Sequence, residues 1–146
     1  RFGKDQDITE LPYNDTVCSI VSETNDNDYE VFMTEKIWKP IMAHHVFVVH
    51  GNYLYLQRLR EMGFKTFGTY FNESYDLEQD PAKRADKIVQ LCKDLKNAKW
   101  QDIYLQSKAL RQHNYDLMFD EEKLSLEINK TLNLFLEFAD SSQISS

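Results

Sequence analysis

The sequence predicts an α/β domain built on a small parallel sheet, with flanking helices and a helical C-terminus. Three observations carry this expectation. Short apolar runs, Thr16 to Val21, Val46 to Val49 and Phe64 to Phe67, alternate with segments whose apolar residues recur at helical spacing. The resulting order is strand, helix, strand, helix, strand, then three helices, which implies parallel strands joined by helical crossovers. Carboxylates and a lysine gather where the first run ends and the next helix opens, the place where open α/β sheets bind ligands.

The elements follow in chain order. Residues 1–15 are polar, contain Pro12 and Asn14, and read as a lead-in segment. Residues 16–139 form the expected domain. Its first strand ends at Ser22-Glu23-Thr24-Asn25, and a polar loop reaches to Glu30. Thr34 is the expected N-cap of the next helix, with Glu35 in its positive first turn. Ile37, Trp38, Ile41 and Met42 recur on that helix, and Pro40 is tolerable if the helix is short. Val46 to Val49 is the second strand. Tyr53 to Met62 is a helix stopped by Gly63, and Phe64 to Phe67 is the third strand. Asp80-Pro81 opens a helix with proline at its first position, and Ile88, Leu91, Cys92 and Leu95 form its core stripe. Further helices are expected from Trp100 to Asn114 and from Glu121 to Phe138. Residues 140–146 are Ser-rich and read as a frayed tail.

Bulk properties narrow the function. The chain has 146 residues, enough for one domain with a sizeable core. Its net charge of −7 argues against a broad nucleic-acid surface, which needs clustered Lys and Arg. No apolar run approaches the ~20 residues that cross a bilayer. The chain opens at Arg1 without a signal-peptide pattern, which suggests a fragment or a processed product. Cys18 and Cys92 are expected as buried free thiols, which leans towards a reducing, cytoplasmic setting. His44, His45 and His50 are neighbours that point different ways, with no Cys or carboxylate set to complete a metal site. The loop holding Glu73, Asp76, Glu78 and Asp80 lacks the calcium-loop spacing, and Asp76 is a candidate to cap or orient a neighbouring loop. Neither a GxGxxG nor a GxxxxGK loop occurs.

Ser22-Glu23-Thr24-Asn25, followed by Thr34-Glu35-Lys36-Ile37-Trp38-Lys39, resembles the donor-binding motif of the α1,3/α1,4-fucosyltransferases. Gly63-Phe64-Lys65-Thr66-Phe67 and Glu73-Ser74-Tyr75-Asp76 are similar to segments of related viral and bacterial glycosyltransferase-like proteins. The resemblance spans Thr16 to roughly Ile88. It implies the Rossmann-like, donor-binding C-terminal half of a GT-B fold, with an N-terminal acceptor-binding domain missing from this chain. It further implies a nucleotide-sugar donor such as GDP-fucose, a glycan hydroxyl as acceptor, and no metal or other cofactor for donor binding. By position, Glu35 would meet the ribose hydroxyls and Lys36 the diphosphate. Glu23 and Asn25 would line the sugar or phosphate side, with Thr34 at the helix start. Phe32 stands where the family often has Tyr, so an aromatic face remains without a hydroxyl. The family's catalytic base lies in the other half, so no catalytic residue is assigned here. The other reading is a degenerate glycosyltransferase-like fold that serves as an interaction module for a basic partner, without catalysis.

Overall fold

A computed structural model describes residues 16–23 and 33–120, together with 122, 125 and 126. The expected lead-in, all of the last helix but residues 122, 125 and 126, which are helical, and the C-terminal tail lie outside the described residues.

Within them the chain is α/β. Strands β1 (Cys18–Ser22) and β2 (Val46–His50) pair in parallel, Cys18 opposite Val46 and Ser22 opposite His50. Helix α1 (Glu35–Met42) makes the crossover. Val46 to Val49 are all buried, as a strand covered on both faces requires. Ile37 and Ile41 of α1 pack into the same core. α1 contains Pro40 but is only eight residues long. Its end is closed by His45 N–H donating to the Pro40 carbonyl at 2.9 Å.

Four more helices follow: α2 (Tyr55–Glu61), α3 (Pro81–Leu95), α4 (Trp100–Gln106) and α5 (Lys108–Met118), with a 3-10 turn at Ser74–Leu77. Both expected caps form. Thr34 Oγ1 accepts from Lys36 N–H at 3.3 Å, and Asp80 accepts from Ala82 and Lys83 N–H at 2.9 and 3.0 Å. Gly63 ends α2 with φ +93°, a conformation that costs a side-chain-bearing residue. α2 starts two residues later than the expected Tyr53, because Leu54 takes a left-handed conformation at φ 64°. The Asp76 carbonyl accepts Leu54 N–H at 3.0 Å. The Asp76 carboxylate accepts from Leu56 and Gln57 N–H at 2.8 and 3.0 Å, so Asp76 caps α2 from outside the helix.

Two expectations are corrected. Phe64 to Phe67 is not a strand, and the sheet of the described residues has two strands rather than three. The backbone of this segment is satisfied by side chains instead of a ladder. Asn114 Oδ1 accepts from Lys65 N–H at 2.8 Å while Asn114 Nδ2 donates to Lys65 O at 2.9 Å. Glu73 accepts from Phe67 N–H at 2.8 Å. Phe64 and Phe67 still enter the core, Phe67 edge-on to Phe47 at 4.9 Å. The second correction is a break at Ser107, where one helix from Trp100 to Asn114 was expected. Ser107 is fully buried and its Oγ accepts from Arg111 Nε at 3.1 Å.

Asn114 therefore does the work of a strand partner. Asn114→Ala orphans both backbone groups of Lys65 and is expected to cost about 2 kcal/mol. Urea unfolding monitored by circular dichroism measures it. A loss under about 0.5 kcal/mol would mean that water replaces the amide.

Candidate functional site

The carboxyl ends of β1 and β2 and the start of α1 meet at one place. β1 ends at Ser22, and Glu23 N–H continues the ladder, donating to His50 O at 2.9 Å. The Glu23 side chain is 8% exposed. Its Oε2 accepts from Thr34 Oγ1 at 2.6 Å, and its Oε1 from Thr34 N–H at 3.2 Å and from Tyr55 Oη at 2.7 Å. One carboxylate thus binds the end of β1 to the start of α1 and to α2. It also occupies the positive end of α1, where negative charge is favoured. Burial first, then the hydrogen bond to Glu23, pushes the Tyr55 phenol far above its ordinary range, so the hydroxyl keeps its proton and donates.

Lys36 is the second residue of α1, in its first turn. Its Nζ donates to the Ser22 carbonyl at 3.1 Å, which sets the ammonium beyond the carboxyl end of β1. Glu35 beside it is exposed. Of the candidate residues read from the sequence, the fold brings Glu23, Thr34 and Lys36 together and leaves Glu35 on the rim. Asn25 and Phe32 lie outside the described residues.

Residues absent from that set also converge here. Ser22 Oγ and His50 Nδ1 are 3.4 Å apart at the exposed strand ends. Tyr75 Oη accepts from the N–H of Val49, the penultimate residue of β2, at 3.3 Å. Glu73 and Asp76 lie 3.6 Å from Arg60. Burial is the largest influence on both carboxyls and pushes them above the ordinary range, against the pull of their hydrogen bonds and of Arg60. Asp76 carried a legible signal, an acid two residues into a turn. The partnership of Tyr55 with Glu23 carried none, because 32 residues separate them.

The histidines diverge as their spacing suggests. His45 Nδ1 shares a hydrogen bond with Ser19 Oγ at 2.8 Å, and His44 stacks on Tyr115 at 4.3 Å. Among the described residues no group of three or more His, Cys, Asp or Glu side chains is arranged to hold a metal ion, and no helix is long and apolar enough to cross a membrane. Cys18 and Cys92 are free thiols, each half-buried rather than enclosed. Burial pushes the Cys18 thiol up to about 11, which leaves it a poor nucleophile at neutral pH.

No protein-family model, curated protein or solved structure matches this chain.

Proposed function

We propose that this chain is the donor-binding part of a glycosyltransferase, of GT-B type and fucosyltransferase-like, that takes a nucleoside-diphosphate sugar such as GDP-fucose. The observation that supports it best is the position of Lys36, an ammonium beyond the carboxyl end of a parallel strand and in the first turn of the helix that follows. A diphosphate gains charge as its sugar leaves, and a fixed cation at that point stabilises the departing group. Glu35, exposed at the first turn, is positioned to accept hydrogen bonds from ribose hydroxyls. Glu23 acts indirectly in this reading. It locks the start of α1 against β1 and so holds Lys36 in register. Asn25 and Phe32 belong to the same proposed pocket by their place in the sequence. The base that activates the glycan hydroxyl comes from a second domain, because a two-domain cleft needs groups from both sides.

Calorimetric titration with GDP, UDP, GDP-fucose and GDP-mannose tests this. Binding of the guanine nucleotides without added metal is the expected result. Lys36→Ala is expected to weaken it about tenfold to hundredfold, the range for losing one charge-assisted contact. Glu35→Ala is expected to weaken it less. Equal affinity in the parent and in both variants would remove the site assignment. A preference for UDP would keep the site and change the donor.

A further inference from the structure

The outer edge of β1 points to a second binding surface, adjoining the donor site at Ser22 and centred on Ile20. Two hydrogen bonds set the strand's orientation: Val46 N–H donates to Val17 O, and Glu23 N–H to His50 O, both at 2.9 Å. Backbone groups alternate in direction along a strand, so the odd-numbered residues face β2, while Cys18, Ile20 and Ser22 turn theirs to the opposite edge. Ser22 O on that edge accepts Lys36 Nζ. Among the described residues no strand pairs with Ile20 there.

The side chains around this edge are equally specific. Ile20 is 62% exposed. Between it and α3 lies a hollow of about 520 Å³, floored by Ile20, Ile88, Val89 and Cys92 and rimmed by Lys93 and Lys96. On the α1 side of the same strand a second hollow, of about 450 Å³, is bordered by Lys36 and Lys39. Proteins usually blunt an edge strand with charge or proline on the strand itself. β1 reads Cys-Ser-Ile-Val-Ser and has neither. The lysines sit instead on the helices to either side, in a chain whose net charge is −7. Among the described residues that arrangement leaves Cys18 and Ile20 without a strand partner, with Ser22 O taken by Lys36, and selects the charge of what joins the edge.

We propose that the outer edge of β1 takes an added extended strand from a separate polypeptide, with carboxylates towards the flanking lysines and an apolar side chain over Ile20. Main-chain bonds supply affinity in this mode, and the alternating side chains supply selectivity.

The test uses a fluorescein-labelled heptapeptide, Thr-Glu-Thr-Ile-Thr-Glu-Thr, capped at both ends, whose isoleucine and two carboxylates share the face towards α3, and reads anisotropy against the whole chain. Saturable binding is expected. Lys93→Glu with Lys96→Glu is expected to weaken it about tenfold or more, since two favourable pairs become repulsive. Lys93 on the last turn of α3 and Lys96 at its C-cap are both exposed, and an unchanged melting temperature confirms that the variant is folded. A backbone N-methylated version of the peptide, with the same charges and no ladder donors, is expected not to bind. Failure of the parent peptide to bind, equal binding of a version with lysine at each acidic position, or undiminished binding of the N-methylated peptide would each overturn the proposal. Lys93 and Lys96 lie outside the donor site, so the peptide result and the nucleotide result are read separately.

Discussion

Glu23→Ala is expected to destabilise the domain by about 3 kcal/mol. The change leaves three donors, Thr34 N–H, Thr34 Oγ1 and Tyr55 Oη, without their acceptor. Each buried donor left unsatisfied costs about 1–3 kcal/mol, with the part-buried Thr34 groups at the low end because water reaches them. Tyr55 carries the largest share, since the residue is 1% exposed and its hydrogen bond to Glu23 is buried. Tyr55→Phe removes one donor and its share of the carboxylate together, so about 1 kcal/mol is expected for it. The measurement is urea unfolding of both single variants and the double variant. Strong non-additivity is expected, because the two groups share one bond. Additive losses would mean that Glu23 stabilises α1 alone and that its bond to Tyr55 contributes nothing.

Arg111→Met is expected to cost about 2–4 kcal/mol. Arg111 is 5% exposed and lies on α5. Nη1 donates to His44 O at 2.9 Å, Nη2 to Tyr104 O at 2.6 Å, and Nε to Ser107 Oγ at 3.1 Å. Its guanidinium also lies 3.6 Å from the centre of the Tyr104 ring. One side chain therefore joins the turn after α1 to the break between α4 and α5. Methionine keeps the apolar stem and removes every donor. The same variant has a pH signature. Burial first, and then Arg111, hold the His44 imidazole below its ordinary value of 6.5, against a smaller opposing effect of Asp116. The unfolded chain then binds a proton more readily than the folded one, so stability falls as pH drops through about 6.5. Removing Arg111 removes one of the two depressing influences. The fall in stability between pH 7 and pH 5.5 is expected to be shallower in Arg111→Met than in the parent. An equal slope would assign the effect to burial alone.

Much of the first half of the molecule was legible in the chain. The apolar runs at Thr16 to Val21 and Val46 to Val49 became the paired strands, and the crossover rule made them parallel. Thr34 and Asp80 cap the helices that they precede, because a cap needs only a short polar side chain and two or three following amides. Glu23 was legible as a polar residue at a strand end. Its burial was not, because that depends on where Tyr55 arrives.

What the sequence determined by itself is local: the two strands, their order, the helix starts at Thr34 and Asp80, and the stop at Gly63. Those features depend on residues within one turn or one strand of each other. The tertiary structure decided the rest. Phe64 to Phe67 has the composition of a strand, yet its backbone bonds are taken by Asn114, 49 residues from Lys65, and by Glu73. The expected helix through Ser107 is broken where Arg111 collects the carbonyls of His44 and Tyr104. In each case a side chain beyond the reach of the local helix or strand pattern, 49 residues away for Asn114 and 67 for Arg111 at His44, satisfies backbone groups that local propensity would have assigned elsewhere. An unmet hydrogen bond in the core costs more than a local preference returns.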